Sequence, residues 1–418
     1  MEKVYLLAVP QYDPTQIAQA VKQAAAELGV KWEGKSAVLL ADCPWAHPKY
    51  APHAHTHPEF VKGVAQAFPK AALTIAANSL PGYPTRYSFR NTGYAPVASQ
   101  LSAQLIPLDE AATRKVAVPN GKVMTAARLP SVWLNAGLRV AMPKLRQSTL
   151  VPFAGVMRQF QSLLPQPDQL ADSHRLPEKM ADLLPAVPVD LIAVDAIQVL
   201  HRGGEVSGVP LDLGVLIVGT HAAAVDTVCA VALGLDPASV DFLREARERG
   251  AAPTDLTQIE ILGDLGLEEL RTRSQKVELA DPNPANYPLP AHIKVLRSEK
   301  ARQAGVSGVL AEVFYIIRNT AISLKSAPLT TIVIGDVSNV PKGKDEYSTL
   351  IFMDDTSRGD MAGYGRIVRL AGRNIALSQV LNDVPYAMKA ANVKTDLGAD
   401  FMLSQLISGL RRSVLPRR

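Results

Sequence analysis

Four histidines stand close together in one short segment of the chain, DCPWAHPKYAPHAHTHPEF. They are half of the eight histidines in the protein, and His53, His55 and His57 alternate with other residues. In an extended segment, alternate side chains share a face and lie about 6–7 Å apart, so two imidazoles can reach one metal ion. We predict either a divalent metal site or acid–base chemistry here. The alternative is a polar loop whose histidines bind nothing.

A glycine-rich segment, HRGGEVSGVP, supplies the second candidate site. Gly203 and Gly204 can form a backbone nest for an anion or carboxylate, and a tight connection between two strands is the simpler alternative. Thr220 stands where a helix N-cap belongs, and the free amides that follow it can bind an anion. Asp226 follows in that helix, where it complements the helix dipole or contacts a ligand.

Basic residues after a strand-like segment form the third candidate set. Lys144 and Arg146 lie in MPKLRQST, and together they could clamp a carboxylate or phosphate. His174 closes a polar loop downstream and is a candidate proton carrier. Single basic residues are usually surface charges, which is the alternative for each of them.

These residues must be positioned by an alternation of buried strands and amphipathic helices. Helices are predicted from Asp13 or Thr15 to Gly29, over 59–68, and from Thr220 to Gly234. The alternation predicts an α/β fold whose mainly parallel sheet carries helices on both faces. The strands are predicted at 3–9, 37–43, 72–78, 131–137, 190–197 and 213–219.

The C-terminal third is predicted to be a separate, smaller unit. Residues 280–292 contain four prolines and read as a linker between a core of residues 1–279 and a C-terminal part of residues 293–418. That part is expected to be α/β or helical, with a helix near 308–324 and strands at 329–336 and 348–355. One apolar face of the helix is assigned to core packing, with a membrane surface or a dimer contact as alternatives.

Composition excludes several classes of protein. The 418 residues are 47% hydrophobic and 20% charged, which indicates a globular chain. A net charge of +5 is too diffuse to predict nucleic-acid binding. We expect a cytoplasmic protein without a membrane span, since no apolar run reaches the roughly 20 residues a span needs. Two cysteines, Cys43 and Cys229, are too few for a disulfide scaffold or an iron–sulfur cluster.

Several of these segments occur in an order that resembles the family catalogued as domain of unknown function 362 (DUF362). The segments are AVLLADC, HTHPEF, NTGY, MPKL, His174, VDAI, GG-x-x-x-G-x-P and VGTHAAAVDTVCAVALGLDP, which together cover about Val38 to Gly263. The resemblance places the family's histidine element on His57 and its lysine element on Lys144, with Arg146 replacing a second lysine. It places the family's aspartates on Asp195 and Asp226. Many members add a ferredoxin-like cluster domain, whose cysteine motifs this chain lacks.

The sequence therefore predicts an enzyme that acts on a small anionic or carbonyl-bearing metabolite. His57, with His55 or His53, would transfer protons or bind a metal, and Asp195 would orient a partner group. The predicted catalytic residues are His57, His55, Lys144, His174 and Asp195, and the predicted substrate-binding residues are Arg146, Gly203, Gly204, Thr220 and Asp226. The alternative is a non-catalytic partner or assembly factor of a redox system. A protein partner or a second copy of the chain is also a candidate ligand.

Overall fold

The strands of this computed structural model, which describes residues 1–32, 36–250 and 253–414, fall into two sheets and a hairpin. The last four residues of the predicted C-terminal part, 415–418, lie outside the described residues. In chain order the strands are β1 Glu2–Ala8, β2 Ser36–Ala41, β3 Ala72–Ala77, β4 Gln104–Pro107, β5 Thr113–Ala117, β6 Ala126–Pro130, β7 Leu138–Met142, β8 Lys144–Gln147, β9 Phe153–Ala154, β10 Leu191–His201, β11 Val209–Gly219, β12 Ile259–Gly263, β13 Ile293–Arg297, β14 Thr330–Ile334, β15 Thr349–Phe352 and β16 Arg366–Arg369.

Helices connect most of these strands. They are α1 Pro14–Glu27, α2 Pro58–Gln66, α3 Thr85–Thr92, α4 Tyr94–Gln100, α5 Ser131–Leu134, α6 Val156–Phe160, α7 Gln166–Leu170, α8 Leu176–Leu183, α9 Ala222–Ala232, α10 Asp241–Glu248, α11 Leu267–Ser274, α12 Gly308–Asn319, α13 Leu377–Ala387, α14 Val393–Asp396 and α15 Gly398–Val414. Within the described ranges, no helix is both long enough and apolar enough to cross a bilayer.

The large sheet is mostly parallel, as predicted. Its order is β12-β1-β11-β10-β7-β2-β3-β4, with β8 and β9 beside β10. Only β11 in that order runs antiparallel to its neighbours, β1 and β10, because the glycine-rich segment turns the chain straight back after β10. Along β1, Val4 and Leu6 join one apolar cluster while Tyr5 and Leu7 join another, so helices cover both faces.

One predicted strand is wrong. Residues 131–134 form the short helix α5, and the strand between β2 and β10 is β7, which begins at Leu138. Trp133 of this helix is buried, and its indole N–H donates to the carbonyl of Pro188 at 3.0 Å. The apolar run of this segment does not alternate, and such a run cannot by itself distinguish a strand from a buried helical turn.

The small sheet contains β13 to β16, all parallel and in sequential order. The predicted strands at 329–336 and 348–355 correspond to β14 and β15. The apolar face of α12 packs inward, since Val313 and Ile316 are fully buried. One apolar cluster contains Trp45 and Tyr83 from the core part together with residues of α12, so the two parts of the chain share a core across their boundary.

Candidate active site

Polar side chains converge where several parallel strands of the large sheet end. Tyr12 lies in the loop after β1, and the histidine segment follows β2. Lys144 comes two residues after the end of β7, and β-pairing places it opposite Asp195 of β10. Carboxyl ends of parallel strands meet at one edge of a sheet, which is where open α/β sheets bind ligands.

Tyr12, Lys144 and Asp195 form a closed triangle of hydrogen bonds. The Lys144 ammonium donates to the Tyr12 hydroxyl at 2.6 Å and to Asp195 Oδ2 at 3.1 Å, and the Tyr12 hydroxyl donates to Asp195 Oδ1 at 2.9 Å. Asp195 is fully buried and Lys144 is 3% exposed, whereas Tyr12 is half-buried. Tyr12 is therefore the member of the triangle that a ligand can reach.

Burial sets the protonation behaviour of this triangle. It lowers the pKa of Lys144, although the adjacent Asp195 carboxylate opposes the shift. It raises the pKa of Tyr12 far above its usual range, and the Asp195 charge adds to the effect. The phenol therefore stays protonated at neutral pH, next to an amine that gives up its proton more easily than an exposed lysine does.

His57 lies directly on Tyr12. Their rings stack with centroids 3.8 Å apart, and the His57 amide donates to Asp195 Oδ2 at 3.1 Å. His57 is also the N-cap of α2, because its Nδ1 accepts a hydrogen bond from the Glu59 amide at 3.2 Å. Burial and the Lys144 charge lower the pKa of His57, while Asp195 opposes the shift. A neutral imidazole whose Nδ1 is an acceptor carries its proton on Nε2, so His57 offers an N–H donor.

The other histidines of the loop do not converge on one point. His53 is exposed, whereas the ring of His55 faces the edge of the Tyr94 ring with centroids 5.9 Å apart. Burial and Lys144 lower the pKa of His55 to about 3, and its buried Nδ1 has no hydrogen-bond partner. Within residues 1–32, 36–250 and 253–414, no group of three or more His, Cys, Asp and Glu side chains is arranged to hold a metal ion. The predicted metal site of His53, His55 and His57 thus gains no support.

Thr56 fixes the histidine loop over the strand ends. Its hydroxyl donates to the carbonyl of Met142 at 2.6 Å and accepts from the amide of Asp42 at 2.9 Å. The Tyr94 hydroxyl donates to the Thr56 carbonyl at 2.8 Å. These bonds join β2, β7 and α4 to the residue that precedes His57, so the imidazole is held in place by buried contacts.

Arg146 does not serve the role predicted for it. Its guanidinium donates to both carboxylate oxygens of Asp42, at 2.5 and 3.2 Å, and it is only 1% exposed. Glu205 lies within 3.5 Å of Arg146 and within 3.0 Å of Arg158, so two arginines and two carboxylates neutralise one another inside the protein. The predicted substrate clamp is instead a buried ion-pair network beneath the site.

The glycine-rich segment does form an anion nest, but the protein fills it itself. The amides of Glu205, Val206 and Ser207 donate to the carboxylate of Glu312, which comes from α12 in the C-terminal part, at 2.6–3.0 Å. A Cβ atom on Gly204 would lie 1.7 Å from Glu312 Oε2, so a side chain at this position would displace the carboxylate from its three amide donors. Gly204 therefore packs against the C-terminal part, whereas Gly203 packs against Ser207 and Gly208 of its own segment. The nest predicted from these two glycines is occupied by Glu312 and is not free to bind a substrate.

Three other predicted residues lie away from the Tyr12 triangle. The N-cap of α9 is His221, whose side chain accepts from the Ala224 amide, so Thr220 does not cap that helix. Asp226 points from α9 to the start of α6, where its carboxylate accepts from the amides of Val156 and Met157 at 2.7 and 2.8 Å. His174 lies 3.1 Å from Asn374 of the C-terminal part, at the boundary between the two parts.

The free energy of unfolding is expected to depend on pH because of the buried carboxyl of Asp226. Burial raises the pKa of this carboxyl from 3.8 to about 7, because the two amides do not offset the loss of water. Between these pH values the folded state binds more protons than the unfolded chain, so the contribution of Asp226 to stability falls as pH rises. At about 1.4 kcal/mol per pKa unit, the free energy of unfolding of the wild type, relative to that of Asp226→Asn, should fall by up to ~4 kcal/mol from pH 4 to pH 7. Urea unfolding at both pH values measures it, and a constant difference would contradict the assignment.

Sequence reasoning missed Tyr12 and Glu312. Tyr12 stands in the loop after the first predicted strand. That position alone indicates that Tyr12 lies at the same edge of the sheet as Lys144. Glu312 interrupts an apolar helix, which marks a buried carboxylate in need of partners. Both cysteines are buried, and burial raises the pKa of the Cys43 thiol to about 12, which argues against a nucleophilic role.

The chain's similarity to known proteins covers most of this site. Residues 38–231 match the family model described as "Domain of unknown function (DUF362)". The match spans somewhat less than half of the chain. This match confirms the resemblance seen in the sequence, and the matched residues include His57, Lys144 and Asp195 of the site. Tyr12 and the whole C-terminal part lie outside the match.

About half of the chain is also similar to a curated protein. A thylakoid-associated protein of Synechocystis is 24% identical over 207 residues, which are 48% of this chain and 63% of the relative. The chain thus spans less than two thirds of that protein.

Solved structures resemble the chain only weakly. The lactate racemase apoprotein of Thermoanaerobacterium thermosaccharolyticum aligns over 53% of this chain and 56% of its own, with 13% identity and a TM-score of 0.36. A crystal structure from Thermotoga maritima aligns over 82% and 72%, with 9% identity and a TM-score of 0.33. At these TM-scores neither likeness carries a functional argument.

Proposed function

We propose that the protein is an enzyme that moves a proton on a small carbonyl-bearing metabolite at the Tyr12–His57–Lys144–Asp195 cluster. The hydrogen-bonded triangle of Tyr12, Lys144 and Asp195 beneath the stacked His57 ring carries this proposal. Enzymes shift the pKa of buried lysines by such surroundings to perform acid–base chemistry near neutral pH. A purely structural ion pair would not require a half-exposed phenol and imidazole on top of it.

The roles of the residues follow from their protonation states. The Nε2–H of His57 donates to the carbonyl oxygen and stabilises negative charge that develops there. A neutral imidazole of the loop takes the proton from the adjacent carbon, and His53 has the most exposed imidazole of the three. The Tyr12 hydroxyl returns a proton to the carbon, and Lys144 reprotonates Tyr12 through their 2.6 Å hydrogen bond. The loop imidazolium then releases its proton to water and Lys144 takes one up from water, which restores the site. Asp195 holds both donors in place.

The proposed substrate is recognised by its carbonyl group, because the described residues of the site include no unpaired cation that would hold a strongly negative substrate. Lys144 is neutralised by Asp195, and Arg146 by Asp42, so the two cations predicted to hold substrate charge are already paired. Burial lowers the pKa values of His53, His55 and His57, so the imidazoles contribute little positive charge at pH 7.

Deuterium exchange tests the proposal without knowledge of the natural substrate. In D₂O we expect the protein to exchange the hydrogen beside the carbonyl of at least one of a panel of small ketones, aldehydes and 2-oxo acids, observed by proton NMR. Tyr12→Phe should lower the exchange rate by about 100-fold or more, because general acid–base groups contribute that much. Tyr347→Phe is the matched control, since Tyr347 is 63% exposed and distant in the sequence. Absence of exchange for every probe, or full exchange by Tyr12→Phe, would contradict the proposal and favour the non-catalytic alternative.

A further inference from the structure

A cavity of about 310 Å³ lies at the carboxyl ends of the small parallel sheet. Its lining shares no residue with the Tyr12–His57–Lys144–Asp195 cluster. The loop after every strand of this sheet contributes to it, and the core part adds His174. The polar lining residues are Ser298, Lys300 and Arg302 after β13, Asp336 after β14, Asp354 and Thr356 after β15, and Arg373 after β16.

Three cations line this cavity, and two of them lack a counter-ion. Arg302 forms an ion pair with Glu178 at 3.0 Å. Among the described residues, neither Lys300 nor Arg373 has a carboxylate within 4.0 Å or a side-chain hydrogen bond, and both are exposed. Lysine and arginine at the mouth of a concave site are the side chains that bind carboxylates and phosphates.

Two carboxylates that follow the central strands β14 and β15 add hydrogen-bond acceptors. Asp354 is buried, and its Oδ1 accepts from the Thr356 amide at 3.0 Å and from the Thr356 and Ser357 hydroxyls at 2.8 Å. No such bond in the part of the chain described here uses its Oδ2. Asp336 stands exposed at the end of β14. Carboxylates that face a ligand accept hydrogen bonds from hydroxyl groups.

The backbone brings these groups close together. Gly335 adopts a φ of +77°, and a Cβ atom there would lie 2.9 Å from the Cβ of Ser298. A side chain at this position would separate the ends of β13 and β14, so the close approach of the two loops depends on glycine. On the other side, the Asn374 side chain contacts His174 and Ser173, which fixes the loop of Arg373 against the core part.

We propose that this cavity is a second binding site, specific for a small hydroxylated anion such as a sugar phosphate or a hydroxy acid. The unpaired Lys300 and Arg373 hold the anionic group, and Asp336 and Asp354 accept from the hydroxyls. In open α/β sheets, ligands bind at the carboxyl ends of the strands, and a volume near 300 Å³ fits a small metabolite.

Isothermal titration calorimetry with four probes tests the site. We expect the full chain to bind ribose 5-phosphate or gluconate, to bind inorganic phosphate more weakly, and not to bind ribose. Comparison of ribose 5-phosphate with gluconate shows whether the site prefers a phosphate or a carboxylate. Lys300→Gln combined with Arg373→Gln should weaken binding about tenfold or more, as expected for the loss of charge-assisted hydrogen bonds. Asp336→Ala should weaken binding of ribose 5-phosphate or gluconate relative to inorganic phosphate, because it removes the acceptor for the hydroxyls while the loss of the negative charge affects both kinds of anion.

Two controls separate binding at this cavity from a general charge effect and from binding at the Tyr12 cluster. Lys325→Gln removes an exposed charge from the same part of the chain and should bind like the wild type. The Lys300/Arg373 variant should retain any deuterium exchange that depends on Tyr12, so the two proposals can fail separately. Unchanged binding in that variant, or no binding of either hydroxylated anion at millimolar concentration, would overturn the proposed site.

Discussion

Replacement of Lys144 by methionine is expected to destabilise the protein by about 3–5 kcal/mol, because it leaves the carboxylate of Asp195 buried without a counter-ion. Asp195 has no exposed surface, and Lys144 is its only ion-pair partner among the described residues. The Tyr12 hydroxyl and the His57 amide remain as hydrogen-bond donors to Asp195, but neither carries a charge. Urea unfolding monitored by circular dichroism measures the change.

Two further variants serve as controls for the effect of Lys144→Met on stability. Lys49 pairs with Asp396 at 2.7 Å, but the two side chains are 49% and 41% exposed, so Lys49→Met should change stability by no more than about 1 kcal/mol. Removal of both charges, by Lys144→Met with Asp195→Leu, should recover most of the loss, since buried ion pairs are often replaceable by apolar groups. Equal effects of Lys144→Met and Lys49→Met would show that Asp195 reaches water and would weaken the proposed acid–base site.

Replacement of Glu312 by alanine should cost about 4 kcal/mol or more. The amides of Glu205, Val206 and Ser207 would lose their acceptor, and each buried unpaired donor costs roughly 1–3 kcal/mol. The Thr149 hydroxyl, 3.2 Å from Glu312 Oε2, would lose a partner as well. Urea unfolding again gives the magnitude, and Glu299→Ala, at an exposed position just after β13, is the matched control.

Formate should partly rescue the Glu312→Ala variant. The empty nest would present three amides to a free carboxylate, and an anion that binds only the folded state stabilises it by mass action. The midpoint of unfolding should therefore rise with formate concentration in the variant and not in the wild type, with chloride at equal ionic strength as the reference. Stabilisation of both proteins to the same extent would mean that the three amides do not form a specific site.

The sequence predicts the elements of the large sheet better than the contacts between its ends. Buried strands such as β2 and β3 are continuous apolar runs, and Asp13 caps α1 as its position indicates, because these signals are local. The antiparallel placement of β11 depends on a hairpin whose two strands both read as buried, and a buried strand shows no direction in its sequence. Residues 131–134 resemble a strand in the sequence because their apolar run lacks a period.

The candidate site is predictable only in part, because its contacts span long distances in the chain. The histidine loop, Lys144 and Asp195 are all expected near strand ends. Tyr12 lies 132 residues from Lys144, and no local pattern indicates their hydrogen bond. Arg146 is expected to bind substrate because the sequence does not show that Asp42, 104 residues away, neutralises it. The anion nest is one of two alternatives that the glycine-rich segment offers, and nothing in that segment indicates that Glu312 occupies it.

The contact between Gly204 and Glu312 limits how this protein can be recombined with its relatives. A Cβ at position 204 would overlap the Glu312 carboxylate, and a shorter or apolar side chain at position 312 would leave three amides without an acceptor. A chimera that exchanges the C-terminal part must therefore take both positions from one parent, or combine parents that already share this pair. Gly204 and Glu312 must therefore be kept together in any such recombination, although the proline-rich segment of residues 280–292 separates them in the sequence.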